Sequence, residues 1–287
     1  MKNLLYAILI GLFPVISDCA GYHENSPLAV TYVANEGFLI ECENKKILID
    51  ALFGGKAQPY FIPSDSIVEL MKAAQSPFDN IDLIAVTHAH MDHFNPQIVA
   101  AHMKHNPRAI LVCPPQVGEK LESAADYSAI KDRIRAVWSP SDSAISTEIA
   151  GMKLRIFPGR HGAYYELDSL TGQSVDIHRN VQHLEYLFSI GNRASYHCGD
   201  APMNDMKRYQ SYTLERDSID VACVQWWDAK EALSFRQKLI KDILRPDRVI
   251  LMHLAPARPP RGNPERQTVV AKEVIVPRRS MEKWIFH

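Results

Sequence analysis

Along the chain the apolar positions fall into short runs, alternating or continuous, broken by turn residues, and few stretches have a helical period. Residues 28–33 and 37–42 are two such runs, and Asn44 with the lysines after it turns the second back into 47–50, which predicts an antiparallel meander. Gly54, Gly55, Pro59 and Pro63 place a loop within 51–80, followed by a short amphipathic helix over 66–74. Residues 81–87 are apolar without helical period, as in a buried strand, and Asn95 with Pro96 supplies the cap and first position of a helix reaching about 104. Further on, the pattern predicts strands over 109–113, 134–138, 219–225 and 248–252 and helices over 117–125 and 229–244. It also predicts hairpins over 148–157, turned at Gly151, and over 181–198, turned at Gly191 and Asn192. Antiparallel runs mixed with strand–helix units imply sheets with helices on their outer faces. The proline- and arginine-rich stretch 255–267 reads as an exposed loop.

Composition narrows the class. The 287 residues are 46% hydrophobic and 23% charged, the balance of a folded globular chain, and a single domain over 20–287 is expected. A net charge of −1 gives no basic surface for nucleic acid or an anionic membrane, so a small-molecule substrate is the expected partner; the oligomeric state stays open. Cys19, Cys42, Cys113, Cys198 and Cys223 are far apart and odd in number, which fits neither a zinc ribbon nor a disulfide framework. Lys2 followed by the apolar stretch 4–16 resembles a secretory signal over 1–19, too short to span a bilayer, with a buried N-terminal strand or helix as the alternative. Residues 16–19 look like a loose lipobox, with Asp18 a poor fit where a small residue is usual; a lipid anchor would then sit on Cys19. The protein is therefore expected to be exported, either periplasmic or a membrane-anchored lipoprotein if bacterial.

The chemistry concentrates in His88, His90, Asp92 and His93, three imidazoles and a carboxylate directly after a buried strand. Burying even one unpaired polar group costs roughly 2–7 kcal/mol, so such a cluster is either solvated or bound to something. In an extended stretch residues two apart share a side, so His88 and His90 can grip one ion, while Asp92 and His93 face a second position. Imidazole with carboxylate suits zinc, and also iron or manganese. Three other apolar runs close on a ligand-type residue, at His161, Asp200 and His253. Ligands in open α/β architectures gather beyond the carboxyl ends of strands.

With these residues in view, the chain from about 28 to 253 resembles the metallo-β-lactamase superfamily. Gly37 and the following apolar run, with Asp50, look like its opening hairpin and first-motif aspartate. His88, His90, Asp92 and His93 match the specific HxHxDH signature, and His161, Asp200 and His253 look like the third to fifth motifs. The resemblance implies an α/β fold, a four-layer αββα sandwich of two mixed sheets with outer helices, and two metal ions, zinc with iron or manganese as alternatives. It implies that His88, His90 and His161 hold one ion and Asp92, His93 and His253 the other, with Asp200 bridging. The third-motif ligand is either His161, which follows a strand, or His183, which sits inside one.

Two divalent ions roughly 3.5–4 Å apart lower the pKa of a bridging water from near 15.7 toward about 7 and supply hydroxide without a protein nucleophile. A metal-dependent hydrolase cleaving an ester, lactone, amide or phosphodiester bond is the expected activity, with Asp92 as the candidate catalytic proton shuttle. Trp226, Trp227 and Tyr164 are candidate substrate contacts. The main rival is a mononuclear-iron oxidoreductase of the persulfide-dioxygenase kind, since the diiron type resembles HxExDH and His90 opposes it. An RNA-processing nuclease and a non-catalytic binding protein are weaker rivals, opposed by the charge and export signal and by the complete ligand set respectively.

Overall fold

The computed structural model describes residues 26–55, 60–139, 143–227, 235–255 and 271–287. The apolar stretch 4–16, Cys19, the residues 256–267 and the first half of the helix expected over 229–244 lie outside the described residues.

The expected meander is present. Strands β1 (Leu28–Ala34), β2 (Gly37–Cys42) and β3 (Lys45–Ile49) pair antiparallel. The chain then alternates between helix and strand. Helix α1 (Asp65–Lys72), capped by the Ser64 hydroxyl, leads to β4 (Leu83–Ala85). Helix α2 (Pro96–His105) is capped by Asn95, whose Oδ1 accepts from the amides of Gln97 at 3.0 Å and Ile98 at 3.2 Å, and it leads to β5 (Ile110–Cys113). Helices α3 (Pro115–Leu121) and α4 (Tyr127–Ile130) precede β6 (Ile134–Ala136). Strands β3 to β6 run parallel in order, as strand–helix–strand units require.

The second half opens with the two hairpins read from the sequence: β7 (Ile145–Ile149) with β8 (Met152–Arg160), and β11 (Gln182–Ile190) with β12 (Arg193–His197). Between them lies a small separate hairpin, β9 (Tyr165–Leu167) with β10 (Ser174–Asp176). Helix α5 (Met206–Ser211) precedes β13 (Val221–Gln225). Helix α6 (Phe235–Lys238) runs on into a π-helical turn, Leu239–Leu244, and β14 (Arg248–Met252) follows. Strands β15 (Glu273–Ile275) and β16 (Glu282–Phe286) end the chain, β15 on the edge of the second sheet beside β14 and β16 returning to pair antiparallel with β1. Among the described residues each main sheet thus has seven strands and is mixed.

Period-two alternation assigns the side chains to layers. Val30, Tyr32, Phe38, Ile40, Ile47 and Ile49 project into the core between the sheets, with Leu154, Ile156, Tyr186, Phe188 and Cys223 of the second sheet. Their neighbours Val33, Leu39, Leu48, Ile84 and Leu111 face the other way, onto Met71, Val99, Met103 and Val117 of the outer helices. On the far side, Leu239, Ile240, Ile243 and Leu244 pack against the second sheet. Helix, sheet, sheet and helix are the four expected layers. The Tyr186 hydroxyl crosses between the sheets to donate to the carbonyls of Val86, at 2.9 Å, and Val112.

Candidate metal centre

The ligand-type residues singled out in the sequence, apart from the alternative His183 within β11, lie past strand ends on one rim of the sandwich. His88, His90, Asp92 and His93 follow β4, His161 follows β8, Asp200 follows β12 and His253 follows β14. Asp200 is at the centre. Its Oδ2 is 2.8 Å from His161 Nε2 and 3.7 Å from both His88 Nε2 and His93 Nε2, and its Oδ1 is 3.3 Å from His253 Nε2. His161 Nε2 is buried without a hydrogen-bond partner despite that approach, the arrangement expected of ligand atoms that share a cation.

The support beneath the centre fixes which ring nitrogen faces inward. Asp50 accepts from the amide of Thr87 at 2.8 Å, the Thr87 hydroxyl at 2.6 Å and His93 Nδ1 at 2.9 Å. Because the single hydroxyl hydrogen of Thr87 goes to Asp50, its oxygen accepts from His88 Nδ1, 3.0 Å away, which leaves the Nε2 lone pair of His88 turned inward, 2.9 Å from His90 Nδ1 and 3.7 Å from Asp200. His93 likewise keeps its Nδ1 proton on Asp50, and its Nε2 is buried without a partner. The His161 ring donates through Nδ1 to the Gly162 carbonyl at 2.7 Å. Three imidazoles are thus turned toward Asp200 by their far nitrogens, the device by which proteins orient metal-ligating histidines.

Electrostatics agree. Burial, then the neighbouring imidazoles, hold His88 well below its ordinary pKa and His90 at about 4, so both rings are neutral donors at pH 7. Burial opposes a charge on His93, but Asp92, Asp50 and Asp200 outweigh it and raise the ring to about 9. Burial works against ionisation of Asp200, yet His253 and His161 outweigh it and keep the carboxylate well below its usual range. A positive charge is wanted at this point, and a cation meets that demand as a proton would.

Among the described residues three groups could hold a metal ion, the donor atoms of each lying within 4.8 Å of one another: His88, His90, His161 and Asp200; Glu36, His93, Asp200 and His253, which shares Asp200 with the first; and Glu36, Asp50 and His197. His161 is in the first group and His183 in none. The His183 ring lies buried 5.4 Å from that of His88, beneath the site, with both nitrogens unpartnered. Asp92 lines the cleft with its Oδ2 3.8 Å from His93 Nε2 and is held at 3.2 Å by the Asn35 amide.

The sequence reading passed over the tip of the β1–β2 hairpin. Asn35 adopts a left-handed backbone, and its carbonyl accepts from the His253 amide at 3.2 Å. Glu36 is fully buried, and burial, then the charges of Asp200 and Asp50, push its carboxyl well above the ordinary range. Gly37 is obligatory, since a Cβ there would lie 2.8 Å from Ala51 Cα and the Asp50 carbonyl. In the sequence Asn-Glu-Gly is an ordinary hairpin turn, so nothing marked it. Tyr60, His178 and Gln225 were also missed. The Tyr60 ring lies 4.0 Å from that of His253, the His178 ring 4.2 Å from that of His161, and Gln225 donates to Asp200 Oδ1 at 2.6 Å.

A cleft of about 560 Å³ opens onto the centre, lined by His90, Asp92, Tyr60, Tyr164, Trp227 and Arg236. Of the expected indole pair, Trp227 lies against His253 at 4.9 Å between rings, whereas Trp226 packs on the core. Among the described residues no helix is long and apolar enough to cross a membrane.

Known structures share this architecture at low identity. A metallo hydrolase from the archaeon Ignicoccus hospitalis superposes with a TM-score of 0.57 at 18% identity, over 91% of this chain and 99% of that one. An isothiocyanate hydrolase from Delia radicum gut bacteria gives 0.56 at 17% identity over 90% and 99%. CmlA, a diiron β-hydroxylase from Streptomyces venezuelae, gives 0.50 at 14% identity over 90% of this chain and 54% of that one. No curated protein matches. The model of the beta-lactamase superfamily domain matches residues 45–254, and with the two-sheet fold and the histidine–aspartate rim this places the chain in that superfamily.

Proposed function

We propose that the protein is an exported metal-dependent hydrolase of a small molecule, with His88, His90 and His161 holding one divalent ion, His93, His253 and Asp92 a second, and Asp200 shared. The observation that carries the reading is the central position of Asp200 among four inward-facing imidazole nitrogens, the nearest at 2.8 Å. A pair of divalent ions in such a setting supplies a nucleophile from water at neutral pH and polarises the scissile carbonyl or phosphoryl oxygen.

The chain's own groups do the rest. Asp50 and Thr87 lock the ring orientations of His88 and His93. Gln225 fixes the Asp200 carboxylate by its 2.6 Å hydrogen bond. Asp92 is steadied by Asn35 at the mouth of the cleft, and the carboxylate oxygen it does not give to an ion would accept the proton of an attacking water. Trp227 and Tyr60 flank His253 on one side of the cleft, and Tyr164 stacks on His178 in the same lining. The relatives named as hydrolases favour bond cleavage over oxidation. A mononuclear-iron oxidoreductase is the second reading, told apart by iron content and oxygen uptake.

The purified protein is expected to contain about two metal ions per chain, zinc foremost. His88→Ala and Asp92→Ala are expected to abolish turnover in a panel of chromogenic ester, lactone and phosphodiester probes without changing the circular dichroism. A metal-free wild type that still turns over, or an Asp92→Ala variant with full activity, refutes the reading. Export is tested by the N-terminus of the mature protein.

A further inference from the structure

We propose that Glu36 is a ligand of the second ion, which makes that position a carboxylate-rich site of harder character than the first; this rests on the two-ion reading above.

The first position offers three imidazoles, His88, His90 and His161, beside the shared Asp200. The second is different. Glu36, His93, Asp200 and His253 bring donor atoms within 4.8 Å of one another, and Asp92 stands 3.8 Å from His93. Glu36 is 0% exposed, and neither of its side-chain oxygens has a hydrogen-bond partner. A buried carboxyl in that state costs free energy unless something charged or hydrogen-bonding reaches it. No lysine or arginine pairs with it among the described residues; the Asp200 carboxyl beside it is a second acid and not a counter-charge, and the His93 Nδ1 that lies 3.8 Å from Oε2 is committed to Asp50 at 2.9 Å.

The other grouping that contains Glu36, with Asp50 and His197, cannot serve instead. His197 donates through Nε2 to the Glu36 carbonyl at 2.8 Å and accepts through Nδ1 from the Gly199 amide, so both nitrogens are taken. Asp50 is already held by three donors, two of them on Oδ2. The unpartnered carboxyl therefore has one place to act, beside His93, Asp200 and His253. The backbone is built to hold it there: Gly37 lets the hairpin tip close onto Asp50 and Ala51, and the Asn35 carbonyl bonds the His253 amide.

Imidazole suits zinc, whereas added carboxylate shifts preference toward manganese or ferrous iron. The second site is accordingly expected to take Mn²⁺ more readily, relative to Zn²⁺, than the first. The test is titration of chelator-stripped wild type and Glu36→Gln protein with Zn²⁺ and with Mn²⁺, read by calorimetry and elemental analysis. Wild type binds two ions. Glu36→Gln keeps the first, loses about 10–100-fold or more of its affinity for the second, and loses more for Mn²⁺ than for Zn²⁺. Unchanged second-ion affinity, or an unchanged Mn²⁺ to Zn²⁺ preference, overturns the assignment while leaving the two-ion reading intact. Fewer than two ions in the wild type overturns both. Metal-free Glu36→Gln is expected to melt no lower than metal-free wild type, because the acid has no partner to lose; a lower melting temperature identifies Glu36 as a structural prop and overturns the proposal.

Discussion

Gly199 shows how tightly single residues are constrained beside the centre. Its φ is +51°, and a Cβ there would lie 2.5 Å from His183 Nε2 and 2.8–2.9 Å from the Thr87 side chain. Thr87 cannot retreat, because its hydroxyl is fixed between Asp50 and His88. Gly199→Ala therefore combines a left-handed backbone with overpacking and is expected to cost about 2–4 kcal/mol of stability. Urea unfolding of metal-stripped protein measures this, and a loss under about 0.5 kcal/mol, the range of ordinary surface changes, means the neighbours give way. What could be read at this scale depended on residue type. Histidines two apart beside an aspartate carry their chemistry in the sequence, whereas Glu36 is a glutamate in a turn until folding buries it.

Among the elements, α2 carries a buried histidine outside the centre. His102 is 0% exposed, donates through Nδ1 to the Met71 carbonyl at 2.6 Å and leaves Nε2 unpartnered, and burial lowers its pKa from 6.5 to about 4. The unfolded chain protonates this ring at a higher pH than the folded one does. Its contribution is therefore complete above about pH 6.5 and is lost as pH falls toward 4, roughly 3 kcal/mol at about 1.4 kcal/mol per unit. His102→Asn keeps a donor near Nδ1 but cannot titrate, so its stability should fall less steeply than that of wild type between those pH values. Parallel curves for the two proteins would show that the ring is not held neutral.

The same scale explains which elements were legible. Strands β1, β2, β8 and β11 have continuous or alternating apolar positions, and turns at Asn44, Gly151 and Gly191 join their hairpins, so period and punctuation agree. Strand β16 lies half-exposed at the sheet edge, β9 and β10 are exposed, and α5 has six residues, too short for periodicity to register. The run over 81–87 keeps sheet pairing only at Leu83–Ala85, because its last residues leave the sheet to begin the histidine loop.

For the molecule as a whole, the centre joins the two sheets. His88, His90 and His93 hang from β4 of the first, while His161, Asp200 and His253 hang from β8, β12 and β14 of the second. Without a cation the junction gathers the buried carboxyls of Glu36, Asp50 and Asp200 around imidazoles whose inward nitrogens on His93 and His161 have no hydrogen-bond partner. A bound metal is therefore expected to stabilise the folded state twice, by mass action and by relieving that arrangement. Mass action alone gives about 2.7 kcal/mol when free metal is 100-fold above Kd. At about 2–4 °C per kcal/mol for a chain of this size, stripping the metal should lower Tm by roughly 5–10 °C, and by more where the carboxyls repel. Calorimetry of loaded and chelator-treated protein tests this. His253→Ala, which removes a second-sheet ligand, should show a smaller shift than wild type. Equal melting of wild type with and without chelator would mean that no ion ties the sheets together and that the rim is held by packing alone.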